Sequence, residues 1–134
     1  MNRILAIALG LSLLATACAD PVAPATPTPV QPTITETFTG TLLQLGNNAH
    51  PFTVQQVGGL KITISKIDPK VTIGFGVGTP GLTGCTIVRD SKATAGATTE
   101  LAGTASIAGP FCIGVFDSGE VVEPITYTVT VLHS

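Results

Sequence analysis

Tryptophan is absent from this sequence, tyrosine occurs once, and phenylalanine occurs five times in 134 residues. A core with so few rings must be filled by aliphatic side chains, and a platform of exposed tryptophans is excluded. Charge is equally sparse: six Lys and Arg stand against eight Asp and Glu. Neutralising nucleic-acid phosphates takes a basic surface, so the composition excludes a nucleic-acid partner. No stretch after residue 17 carries apolar residues at helical spacing. The nucleophile elbow Gly-x-Ser-x-Gly is missing, which removes one familiar route to hydrolysis. His50 and His133 are isolated, and no third or fourth ligand stands near the cysteines at zinc spacing. One glycine pattern, Gly76-Val77-Gly78-Thr79-Pro80-Gly81, has dinucleotide-binding spacing. That chemistry needs a helix N-terminus to hold pyrophosphate, and Pro80 followed by a strand pattern denies one, so the segment reads as a strand end and a loop.

What is present falls into three parts. Residues 1–17 have the form of a signal peptide: Arg3, then an apolar run from Ile4 to Ala15, then Ala15-Thr16-Ala17. The run is shorter than the roughly 20 residues that span a bilayer. Two processing routes fit its end. Cleavage by an ordinary signal peptidase follows Ala17. Alternatively, Leu14-Ala15-Thr16-Ala17-Cys18 resembles a bacterial lipobox, with leucine one place earlier than usual, and Cys18 becomes a lipidated N-terminus. Residues 18–34 form the anchor cysteine and a spacer holding Pro21, Pro24, Pro27, Pro29 and Pro32. Proline cannot donate to sheet or helix ladders, so this stretch is expected to be extended and to lift a domain off a membrane by about 40 Å. Localisation at a bacterial outer membrane or cell surface follows from an anchor; periplasmic or secreted location follows without one.

Residues 35–134 are the expected folded domain. Threonine, valine, isoleucine and glycine dominate, and β-branched residues fit a pleated surface. Alternation with a period of two marks eight strands. They cover Glu36–Leu42, Phe52–Val54, Leu60–Ser65, Val71–Val77, Cys85–Arg89, Thr99–Ile107, Phe111–Phe116 and Ile125–Val131. Gly46-Asn47-Asn48, Gly58-Gly59, Asp68-Pro69, Gly78–Gly81, Asp90–Ala97 and Asp117–Glu120 read as the breaks between them. Eight short, half-buried antiparallel strands imply two packed sheets, an all-β jelly-roll sandwich. Threonine-only outward faces, such as Thr126, Thr128 and Thr130, also occur in ice-binding proteins. Here the strands differ in length, and the strand preference of threonine accounts for them.

Cys85 and Cys112 remain. Two exported cysteines pair by default, and closing a loop of about 27 residues contributes roughly 3.5 kcal/mol in the chain-entropy account. Parity places Phe111, Ile113 and Val115 in the core and Cys112, Gly114 and Phe116 on the opposite face. The disulfide is therefore expected on the outer side or edge of a sheet.

The order of Phe38–Leu42, Phe52–Val54, Leu60–Ile64, Phe111–Phe116 and Tyr127–Val131 resembles the bacterial pre-peptidase C-terminal domain, over roughly Thr35 to His133. The resemblance implies a jelly roll that accompanies secreted hydrolases and assists secretion, localisation or substrate binding without catalysis. This chain departs from the pattern in lacking a catalytic domain and in carrying Cys112 where an aromatic is usual.

Candidate sites are few. Asp117, Glu120 and Glu123 form the densest acidic cluster, and hard oxygen ligands of this kind suit calcium; Asp-Ser-Gly is also an ordinary turn. No other cofactor is suggested. Phe116 is the candidate contact residue, with burial between sheet and loop as its alternative. His50 and His133 read as exposed strand ends, and Tyr127 has inward parity. The expected function is a non-enzymatic envelope lipoprotein, held to the membrane by Cys18, with a protein or polysaccharide partner. The alternative is a carbohydrate-binding module beside a separate secreted hydrolase.

Overall fold

The computed structural model describes residues 33–134. The expected signal peptide, Cys18 and the expected spacer as far as Pro32 lie outside the described residues. Eight strands and no helix make up the described part: β1 (Ile34–Leu42), β2 (Asn47–Val54), β3 (Gly58–Asp68), β4 (Thr72–Gly81), β5 (Gly84–Thr94), β6 (Thr99–Ala105), β7 (Gly109–Asp117) and β8 (Ile125–His133). They form two four-stranded sheets, ordered β1-β8-β3-β6 and β2-β7-β4-β5. The pairs β1 with β8, β2 with β7, β3 with β6 and β4 with β5 are all antiparallel. This is the pairing of one long eight-stranded hairpin rolled into two layers, the jelly roll.

Alternation decides which residues lie between the layers. On β8, Ile125, Tyr127, Val129 and Val131 point inward, and Thr126, Thr128 and Thr130 point out. On β3, Leu60, Ile62 and Ile64 are inward until an irregularity between Ile64 and Lys66 resets the register. Phe52, Val54, Ile73, Phe75, Ile113 and Val115 supply the opposing layer. The core is therefore mostly aliphatic, and Tyr127 and Phe75 are its largest fully buried residues. Gly40 faces Tyr127 across the β1–β8 ladder, and its missing side chain makes room for the ring. On the outer side of this sheet, Thr37, Thr39 and Thr41 stand directly beside Thr130, Thr128 and Thr126. The Thr37 and Thr130 hydroxyls are 3.2 Å apart.

Four expected breaks are strand instead, and one of them, Gly58-Gly59, opens β3 opposite Ala105 and Thr104. Asp90 to Thr94 continues β5, paired to β4 as far as Thr72. Gly78 to Gly81 is the end of β4, and Asn47-Asn48 begins β2 opposite Phe116 and Val115. The reason is the same each time. A strand beside a ready partner draws its stability from ladder hydrogen bonds, which need no apolar side chain.

Candidate functional site

The second sheet carries the unusual feature, and it grows from four glycines. Gly74, Gly76 and Gly78 alternate along the outer side of β4, and Gly114 lies beside Gly76 on β7. Without side chains, these positions form a trough. Other groups fill it. The Phe116 ring lies on Gly74, and Ile87 reaches over both Gly76 and Gly114. The Thr86 carbonyl sits where a side chain on Gly78 would be. The first half of β5 has thus folded over the face of its own sheet, so far that Gly84 approaches Ala49 on β2.

The disulfide locks that fold-over. Cys85 belongs to β5 and Cys112 to β7, with β4 between them in the sheet. Strands two places apart in a flat sheet are about 9.6 Å apart. Here the two Cα atoms are 5.7 Å apart. Cys112 is buried and lies on the outer side, away from the core formed by Ile113 and Val115, as parity indicates.

Between the folded-over strand and the β2–β7 end of the sheet lies a cleft of about 380 Å³, lined by Asn47, Asn48, Thr83, Cys85, Ile87, Gly114, Val115 and Phe116. Phe116 is half-buried and forms one wall. None of the lining residues is charged.

Asp117, next along β7, faces backbone. Its Oδ2 accepts the Leu45 N–H at 2.9 Å, and its Oδ1 accepts those of Gly119, Glu120 and Val121 at 2.7, 3.0 and 3.1 Å. The Leu45 bond is the largest influence and, with those of Val121, Gly119 and Glu120, holds its carboxyl below the usual carboxylate range; desolvation, second in size, opposes them. Glu120 accepts the Thr72 N–H at 3.3 Å, and Glu123 is exposed. The loop is thus organised by carboxylates accepting from backbone N–H groups. Among the described residues, no group of three or more His, Cys, Asp or Glu is placed to hold a metal ion.

Neither histidine is an exposed end. His133 is 1 % exposed. Its Nε2 lies 2.9 Å from Glu36 Oε1, its Nδ1 lies 3.2 Å from the Ser134 carbonyl, and its ring packs on Phe52. His50 is half-buried between the sheets, stacked on Phe38 with 5.0 Å between ring centroids. Its Nε2 is 2.7 Å from the Tyr127 hydroxyl, which also accepts from Asn48 Nδ2 at 2.9 Å. Burial lowers the His50 pKa and raises that of Tyr127, the latter offset in part by the Asn48 bond. The signal was available: His50 shares parity with Phe52 and Val54, and His133 with Tyr127, Val129 and Val131. Neither ring is hydrogen-bonded to a serine or threonine hydroxyl among the described residues.

No protein-family profile matches this chain, and no curated protein matches it.

Proposed function

We propose that the protein is an exported, lipid-anchored and non-catalytic β-sandwich of the bacterial envelope, a binding or accessory module of the pre-peptidase C-terminal type. The observation that carries this reading is the Cys85–Cys112 disulfide. Disulfides persist in oxidising compartments, and this one belongs to a chain whose first residues have the form of an export signal ending at a cysteine. The proline-rich stretch after Cys18 is suited to hold the sandwich away from a membrane surface.

Mass spectrometry of the mature N-terminus tests it. A diacylglyceryl Cys18 is the expected terminus, and Cys18→Ala then moves the protein from the membrane fraction to the soluble one. A mature chain starting at an unmodified Cys18 or at Ala19 would remove the anchor from the proposal.

A second reading, a carbohydrate-binding module working beside a separate secreted hydrolase, is favoured by one feature. The cleft beside Phe116 combines an aromatic wall with uncharged polar groups. Sandwich domains that bind sugars without transforming them need that chemistry and little else.

A further inference from the structure

We infer that the cleft on the outer face of the second sheet binds a neutral carbohydrate, with Phe116 as the stacking surface and Asn47 as the principal hydrogen-bonding side chain. This rests on the second reading above and is independent of the anchor. The cleft, at about 380 Å³, falls within the roughly 300–1,000 Å³ of small-ligand sites.

The lining selects the ligand class. With no charged side chain around it, the cleft offers no counter-charge to a phosphate, a carboxylate or an ammonium group. Burying an unpaired charge is strongly unfavourable. Asp117, next to Phe116 on β7, has both oxygens turned to backbone N–H groups. A purely apolar ligand fits no better. The amide of Asn47 and the hydroxyl of Thr83 line the cleft, and neither is hydrogen-bonded among the described residues. An apolar occupant would strip both of water and return nothing. A pyranose ring answers both conditions: its C–H face packs on an aromatic ring, and its hydroxyls both donate and accept.

The walls are held in place before any ligand arrives. One face of the Phe116 ring rests on Gly74, leaving the ring fixed against the sheet. The opposite wall, Cys85 and Ile87, is tied to β7 by the disulfide. Asn47 follows a turn in which Leu45 adopts a left-handed conformation (φ 56°). That turn is clasped from both sides: Asp117 accepts the Leu45 N–H, and the Asp117 N–H donates to the Gly46 carbonyl at 3.0 Å. Such preorganisation reduces the entropy lost on binding.

The test is a nitrogen-labelled NMR titration of the full mature protein with cellohexaose, the N-acetylglucosamine hexamer and maltohexaose, with an oligogalacturonate as the charged control. At least one neutral hexamer is expected to shift the backbone amides of Asn47, Gly114 and Phe116 with a Kd of about 1 mM or tighter, and the oligogalacturonate is not. Phe116→Ala and Asn47→Ala are each expected to weaken binding by about tenfold, a difference of about 1.4 kcal/mol. Phe116→Ala also uncovers Gly74, so the exposed Asn47→Ala, checked for an unchanged melting temperature, carries the conclusion. The inference is overturned if no neutral hexamer moves these amides at about 10 mM, a level at which even millimolar binding is nearly saturated. It is equally overturned if the shifts map elsewhere, or if Asn47→Ala binds as tightly as the parent. Loss of the Cys18 anchor would show only in the N-terminal mass and would leave this result standing.

Discussion

The Tyr127 hydroxyl lies 2.7 Å from His50 Nε2, and the bond joins the two sheets. Asn48 Nδ2 already donates to that hydroxyl, so the hydroxyl proton is free to go to His50 Nε2 as acceptor, which calls for a neutral imidazole. Phe38 covers the ring and offers it no counter-charge.

Stability is therefore expected to fall on mild acidification. Burial sets the folded His50 pKa below its ordinary 6.5. As pH drops through that value, the unfolded chain takes up a proton at His50 before the folded one does. The unfolded state then binds more protons, and stability declines until the folded group titrates too. Chemical denaturation at a series of pH values between neutrality and about one unit below 6.5 reads the slope. In His50→Gln this part of the slope should vanish, and Tyr127→Phe should lower stability by about 1 kcal/mol at neutral pH. An unchanged slope in His50→Gln would refute the assignment.

Asp117 titrates in a different window. Its pKa is held below the usual 3.8, so its stabilising effect is complete above that value and is lost as pH falls through the folded pKa. Asp117→Asn turns an N–H group toward one of the N–H donors it now accepts. Amide exchange at Leu45, Gly119, Glu120 and Val121 is expected to quicken, with strands β3 and β8 unaffected. Because both Asp117 oxygens are already accepting, added calcium is expected to leave the melting temperature of the parent unchanged. A calcium-dependent rise would show that the loop rearranges to ligate.

The trough glycines should rank by what a new methyl meets. At Gly78 it meets the Thr86 carbonyl, which is backbone and cannot turn aside. At Gly114 it meets the end of the Ile87 side chain, which can change rotamer. Gly78→Ala is expected to cost about 3 kcal/mol and Gly114→Ala about 1 kcal/mol. Denaturant midpoints at constant slope decide the order, and the reverse order would mean that β5 does not lie over β4 as described.

Replacing both cysteines by alanine should lower stability by about 3.5 kcal/mol, from the loop of 27 residues alone. The loss should also be local. The first half of β5 and the end of β4 it pairs with, Gly78 to Gly81, are expected to lose amide protection, while Ser91 to Thr94, on the far side of the register irregularity at Val77 and Gly78, keeps it. Uniform loss of protection across β5 would contradict a staple acting on the folded-over half.

Much of this architecture was readable beforehand. Each of the eight strands shows period-two alternation somewhere along its length, and the parity of Phe111 to Phe116 correctly put Cys112 on the outer face. Strand ends were less legible. Asp90 to Thr94 has the composition of a loop, and only its pairing with Thr72 to Gly76 makes it strand. The histidines were misplaced because their polar partners are remote in sequence: Tyr127 is 77 residues from His50, and Glu36 is 97 from His133. Without those partners, burying an imidazole would be unfavourable, and an exposed end is the natural expectation.

Alternation of β-branched and polar residues, the absence of helical spacing and the scarcity of rings determined an aliphatic all-β domain with one face of every strand buried, and the pairing of the strands into two separate sheets made it a sandwich and not a closed barrel. Two cysteines beyond residue 34, read with the expectation of export, were enough to expect a disulfide. Only the tertiary structure decided that the bond would cross over an intervening strand. Gly74, Gly76, Gly78 and Gly114 are interchangeable as letters with any turn glycine. They become a trough, and the trough a cleft, only when β4 and β7 lie side by side and β5 folds across them.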